Sequence, residues 1–316
     1  MNPAPSIVFF TTASGAGYGL IFWLGLLRPL GLVPEERGFG VIALGIGVVL
    51  VCVGLLASLA HLGRPERAWR ALSQWRSSWL SREGVAAIAS FPAFGLFGLA
   101  MLLGWGGLAG FAGLLAAAGA LVTVWCTGMI YASLKPIRQW HHPLVLPGYL
   151  LIAAFSGALL LAMTAAYWGG GVTAALVAAL SAGGGLLLKR AYWQAIDAPR
   201  PAEAPSIESA TGLGRIGATR PLDPPHTEQN WLLREMGFRL ARKHAERLRL
   251  FALAAGFMVP GGLALVALFS SIAGSDAVAV VLLSFAVSAA TLGLLAERWL
   301  LFAQATHTVT LYYTGE

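Results

Sequence analysis

The sequence predicts an all-α membrane protein of eight transmembrane helices, with a long basic loop between the sixth and the seventh. Three observations predict it. Of the 316 residues 57% are hydrophobic and only 11% are charged, where a soluble domain carries about 25% charged residues. The mean hydropathy is +0.72. The apolar residues fall in eight runs, each close to the roughly 20 residues that one bilayer crossing needs. These runs are rich in Ala, Leu and Gly and do not alternate over about 10 residues as barrel strands do, so they read as helices.

In order along the chain, the first span covers about 6–30 and opens on FFTTASGAGYG. Thr11, Thr12 and Ser14 stand there among small residues, a pattern that lets helices approach closely. The second span is about 38–60, followed by the polar segment His61–Glu83. Spans three and four, about 84–104 and 108–133, turn at GWGG. Spans five and six, about 144–168 and 171–189, turn at YWGGG. Spans seven and eight, about 249–273 and 277–303, turn at AGSDA. The whole of 1–316 therefore reads as one integral membrane domain, with an extramembrane loop at 190–248. The N-terminal MNPAPS has no basic region and no small-residue cleavage site before the first span, so no removable signal peptide or twin-arginine signal is expected.

Charge gives an orientation. Eighteen of the 21 lysines and arginines fall in three segments on one face, between spans 2 and 3, 4 and 5, and 6 and 7. The opposite face has Arg28 and Arg37 in otherwise short loops, and Arg298 lies towards the end of span 8. Positive residues mark the cytoplasmic side, which puts the basic face and both termini in the cytoplasm of a bacterial inner membrane. A loop that docks an acidic partner would also be basic on either side. The net charge of +7 is explained by topology and calls for no nucleic acid.

The long basic loop has two parts. Residues 197–226 are rich in Pro, Gly and Ser and predict irregular structure; GLGRIG at 212–217 follows no strand and reads as flexible. Residues 227–249 have helical spacing, with Thr227 as a candidate N-cap and Trp231, Leu232, Met236, Phe238, Leu240 and Leu248 as an apolar stripe. Arg239, Arg242, Lys243 and Arg247 cover the other side. Such a helix either lies on lipid headgroups or forms a platform for a partner subunit.

The chemistry-bearing residues gather at span ends. Cys52 and Cys126 lie inside spans, too few and too far apart for an iron–sulfur cluster, and read as small buried hydrophobes. The six histidines avoid the middle of every span. This excludes a pair of haems stacked across the bilayer but leaves open one haem near the basic face, from His61 with His141 or His142. The same three histidines can instead flank a quinone head group, which needs hydrogen-bond donors and a proton path. Glu83 opens span 3 just inside the apolar boundary, where a carboxylate is costly unless paired or functional. Arg64 and Arg82 are near enough in sequence to hold it charged. Alternatively Ser81 caps the helix and Glu83 is an ordinary first-turn charge. Trp69, Trp75 and Trp79 recur near helical spacing and suggest indole anchors at the headgroup level. Glu297 and Arg298 read as a pair snorkelling to the interface or as a redox-linked pair.

The segment HLGRP…RAW…WRSSWLSRE, together with eight spans and the opening FFTTASGAGYG, resembles the dimethyl sulfoxide reductase anchor-subunit family. The long loop, with ATGLGRIG…LDPPHTEQNWLLREMG…ARKHAE, is similar to that of the family's sulfite-oxidising branch. The resemblance implies a membrane subunit of a three-part molybdenum enzyme. It implies no haem in this polypeptide, electron exchange with an iron–sulfur subunit, and a molybdopterin catalytic subunit beyond it. It also implies a quinone site, with ubiquinone or menaquinone near that interface. The family's functional histidine and glutamate match His61 and Glu83. Arg64, Arg82, Trp79, His141 and His142 complete the expected quinone-binding set, and Arg67, Arg70 and Arg76 with the 231–249 helix are the expected docking surface.

Two readings of other classes stand beside this one. A transporter would place broken helices and ionisable residues near the midplane, where this sequence has almost none. A passive anchor without a redox site would share the same spans.

Overall fold

The computed structural model describes residues 3–60, 62–199, 206–220, 222–223 and 244–308. Eight helices are long and apolar enough to cross a membrane: α1 (Pro5–Leu27), α2 (Arg37–Leu59), α3 (Trp79–Leu103), α4 (Gly106–Ala132), α5 (Val145–Tyr167), α6 (Val172–Asp197), α7 (Ala245–Ile272) and α8 (Asp276–Ala303). The predicted eight-helix class is thus the observed one. Among the described residues the only strand-like pairing is an isolated bridge between Ile137 and His307.

The helices form two four-membered rings. In the first, α1 packs on α2 and α4, and α3 packs on α2 and α4; in the second, α5 packs on α6 and α8, and α7 packs on α6 and α8. The rings meet along α1 and α5, with α4 against α5 and α1 against α8. Accordingly α1 and α5 are the most enclosed of the eight helices. Outward-facing apolar side chains such as Leu56, Leu180, Phe285 and Leu292 clothe the rest, as expected of a bundle surrounded by hydrocarbon.

Lipid supplies no hydrophobic force to drive helices together, so close backbone approach carries the packing. Gly19 and Gly157 make the central crossing of α1 and α5: a Cβ on Gly19 would strike the Ala153 carbonyl, and one on Gly157 the backbone of Gly19 and Leu20. Around α7 the same device appears at a π-helical turn, Ala254–Met258, where Gly256 lies on Gly293 of α8.

Of the four connections on the face away from the basic loops, three are tight turns and the α1–α2 one runs over residues 28–36. At the α3–α4 turn Gly104 takes φ 75°, a left-handed cap that only glycine adopts without strain. The basic face has the long connections. Between α2 and α3 runs a 3-10 helix, Pro65–Gln74. Its Trp69 and the adjoining Trp75 are exposed. The residues 206–220 expected to be irregular hold an α-helical turn, Ile207–Thr211, capped by Ser206 and Gly212, and a 3-10 turn, Leu213–Arg215. Of the expected amphipathic helix, 227–243 lies outside the described residues; the description resumes with the first turn of α7.

Candidate functional site

Glu83 is the fifth residue of α3, four residues below the helix start, roughly 6 Å at 1.5 Å per residue. The capping residue is Ser78, whose side chain accepts from the Ser81 backbone N–H. Ser81 does not cap; its hydroxyl donates to the Ala71 carbonyl of the 3-10 helix. Glu83 therefore lies beyond the first turn, and the reading of it as an ordinary helix-end charge does not hold. Its side chain turns into the bundle and is 5% exposed. There the Thr127 hydroxyl of α4 donates to its Oε1. The same hydroxyl also reaches the Thr123 carbonyl at 3.0 Å.

The arginines expected to neutralise Glu83 are engaged elsewhere. Arg82 donates to the Trp75 carbonyl at 2.9 Å and the Arg76 carbonyl at 2.7 Å, and its guanidinium lies 4.3 Å from the centre of the Trp79 ring. It closes the 3-10 helix onto α3 and holds the half-buried Trp79 in place. Arg64 is exposed at the head of the 3-10 helix. Among the described residues no ion pair reaches Glu83.

His61 lies outside the described residues. His141 and His142 occupy the α4–α5 connection. The Nδ1 of exposed His141 is 2.7 Å from the Ala132 carbonyl, which makes Nδ1 the protonated nitrogen. The Nδ1 of His142 accepts from the Leu144 backbone N–H at 3.2 Å, and its ring stands edge-on to Tyr192. Burial, and then nearby Arg138, hold the His142 imidazole below its usual range. Neither ring is joined to Glu83 by a hydrogen bond, ion pair or ring contact among the described residues. The expected set is thus split: Glu83 is inside the first ring of helices, Arg82 and Trp79 form its roof, and the two histidines sit in the α4–α5 connection, His141 against the end of α4 and His142 beside Tyr192 of α6.

A second polar group joins Glu297 and Arg298, which the sequence singled out, to Lys189, which it did not. Glu297 and Arg298 do not snorkel; they are 1% and 3% exposed. Lys189, which the sequence places at the end of a span, is eight residues short of the end of α6 and 5% exposed. Its Nζ is 2.5 Å from Glu297 Oε1, and Arg298 Nε is 3.5 Å from Glu297 Oε2. The Arg298 guanidinium stacks 3.9 Å over Tyr149, which in turn stacks on Tyr131. The sequence signal was a basic residue and an acid-base doublet inside late spans; their pairing across two helices needed the fold.

Two cavities bear on these groups. An internal one of about 10 Å³ is lined by Thr11, Ser14, Tyr18, Thr127, Tyr149 and Arg298. It is room for about one water, too small for a quinone ring. The second is an open apolar groove of about 380 Å³ between α1, α4, α5 and α6, with Phe22, Leu121, Leu150 and Leu188 on its walls. Tyr18, Val124 and Ala153 line both. The groove has the apolar character that an isoprenoid tail needs, and Tyr18 is the hydroxyl at its inner end.

Comparison with known proteins agrees with this architecture. Residues 1–211 match the family model for the DMSO reductase anchor subunit, DmsC. The protein is 32% identical to a sulfite dehydrogenase subunit of Allochromatium vinosum, over 99% of both sequences. It is also 32% identical to a component of the anaerobic dimethyl sulfoxide reductase of Escherichia coli, over 46% of its own length and 51% of that relative's.

Proposed function

Because the chain belongs to the DMSO reductase anchor-subunit family, and is a multi-pass membrane anchor subunit of that type, we propose that it is also quinone-reactive. In this reading it passes electrons from sulfite oxidation in the cytoplasm to the quinone pool of the bacterial inner membrane. The observation that carries the reading is Glu83: a carboxyl inside the bundle, bonded to one threonine and, among the described residues, paired with no cation. An ionisable group in that position is costly and calls for a function.

A quinone, when bound, takes up two electrons and two protons and leaves as quinol. Glu83 would hold and deliver protons, with Thr127 fixing its carboxyl. His61, two residues beyond the end of α2 in sequence, would donate a hydrogen bond from the same side. Arg64, Arg82, Trp79, His141 and His142 would border the site, Arg82 and Trp79 by keeping the 3-10 roof on α3. The apolar groove would take the isoprenoid tail. An iron–sulfur subunit would dock on Arg67, Arg70, Arg76 and the 231–249 segment, with a molybdopterin catalytic subunit behind it. Electrons then enter on the face nearest Glu83, and no haem is required in this polypeptide.

The sulfite reading is supported by the full-length similarity to the Allochromatium vinosum sulfite dehydrogenase subunit. The second reading, a dimethyl sulfoxide-type reductase drawing on quinol, is supported by the shorter match to the Escherichia coli protein. Membranes with and without this subunit separate them. Sulfite-dependent reduction of a short-tailed ubiquinone or menaquinone that is lost without the subunit supports the proposal. Quinol-dependent reduction of dimethyl sulfoxide without sulfite activity selects the second reading. Quinone turnover unaffected by removing the subunit reduces it to a passive anchor.

A further inference from the structure

The face away from the basic loops has two basic residues, Arg28 and Arg37. Both line one open cavity of about 380 Å³ at that end of the first ring. The end of α1, the start of α2 and the α3–α4 turn form its walls, with buried Phe97, Met101 and Ala109 among the lining side chains.

Both guanidiniums are built into the fold. Arg28 donates to the carbonyls of Glu35 at 2.8 Å, Pro34 at 3.2 Å and Glu36 at 3.4 Å, which anchors the α1–α2 connection. Arg37 reaches across to the Leu102 carbonyl of α3 at 3.5 Å. A Cβ on Gly40 would strike the Arg28 guanidinium, and one on Gly104 the Arg37 guanidinium. Glycine thus makes room for each cation. Among the described residues no carboxylate forms an ion pair with either. A guanidinium has five N–H donors, so each keeps donors for a ligand after its backbone bonds.

Two arginines at one cavity suit a phosphate group, whose oxygens match the guanidinium fork. The first turn of α4, which has no side-chain cap, lines the same cavity through Gly106 and Ala109 and adds the positive end of a helix dipole. Glu35 also lines the cavity. A phosphate alone would leave this carboxylate beside an anion; a ligand that carries an ammonium group next to its phosphate answers both signs. The setting is that of a lipid. The cavity lies at the helix ends, the level of the headgroups, and Leu102, Leu103, Trp105 and Phe111 of the adjoining α3–α4 segment are exposed on the outside of the bundle.

We propose that this cavity binds the headgroup of a phospholipid, its phosphodiester between Arg28 and Arg37 and its ammonium group at Glu35, with the acyl chains along the outer surface of α3 and α4. The lipid bridges the α1–α2 connection and the α3–α4 turn. It sits at the opposite end of the first ring from Glu83, and the assignment is independent of the quinone reading.

The test is a lipid titration of the full-length protein in detergent, read by native mass spectrometry. Dioleoyl phosphatidylethanolamine should bind with one saturable site, up to about fivefold more tightly than dioleoyl phosphatidylglycerol, as an exposed ion pair to the ammonium allows. Arg37→Gln should weaken both lipids by about tenfold or more, the loss of a hydrogen bond between charged groups. Arg28→Gln should do the same, but it also releases the α1–α2 connection, so exposed Arg37 is the deciding position. Glu35→Gln should keep phosphatidylglycerol binding and remove the preference for the ethanolamine headgroup. Arg215→Gln, in the basic loop, should bind as the wild type does. Wild-type lipid binding in Arg37→Gln would overturn the site, and equal binding of the two lipids by the wild type would overturn the contact with Glu35. Displacement of the lipid by equimolar glycerophosphoethanolamine or inorganic phosphate would overturn the lipid as the occupant and make this a site for a free anion.

Discussion

Thr127 on α4 donates its hydroxyl to the carboxyl of Glu83 on α3. The bond joins two helices that run antiparallel side by side and fixes an acid inside a ring that, among the described residues, buries no other charged side chain. Nothing positive lies in contact with it among the described residues. The second acid inside the bundle, Glu297, is the opposite case, held between a lysine and an arginine.

That contrast sets the first prediction. Removing one partner of a buried ion pair leaves an uncompensated charge and costs about 3–5 kcal/mol. Lys189→Met and Glu297→Gln should each lower the thermal stability of the solubilised protein strongly. The double variant should cost less than the two singles added together, as expected for residues in contact. Strict additivity would show that the pair does not interact.

The central crossing gives a second. Gly157→Ala places a methyl group against the backbone of Gly19 and Leu20 and should destabilise by about 1–3 kcal/mol. Gly183→Ala, on α6, meets nothing within 4 Å and should be neutral or stabilising by up to about 1 kcal/mol. Both are read by thermal unfolding in the same detergent; equal effects would contradict the packing described.

The eight spans were legible because each is a long apolar run, and lipid enforces helices there. Their ends were less so. Span 6 reads as ending at Lys189, since a lysine usually marks the interface, yet α6 continues to Asp197 because Glu297 of a distant span neutralises that lysine. Glu83 was legible as a costly acid, but its partner was not, as Thr127 lies on another helix and a threonine in a span looks like packing. Arg82 was misassigned for the same reason: nearness in sequence suggested Glu83, while the geometry spends the guanidinium on backbone carbonyls.

A third prediction concerns orientation. The basic face holds the N-terminal end of α1 and the C-terminal end of α8, and the proposal drawn from the charge bias is that this face is cytoplasmic. An alkaline phosphatase fusion after Glu316 should be inactive, and a fluorescent protein there should fluoresce. The reverse result would place the docking face outside and remove cytoplasmic sulfite oxidation as the electron source.

The most direct test of the account is Glu83→Gln in the assembled complex. The change keeps size, polarity and the ability to accept from Thr127, and removes only the titrating group. Quinone-coupled turnover should fall by about a hundredfold or more, while membrane retention of the partner subunits and dye-linked activity of the catalytic subunit stay at wild-type levels. Quinone turnover at the wild-type rate in Glu83→Gln membranes would contradict the account and move the site away from this carboxyl.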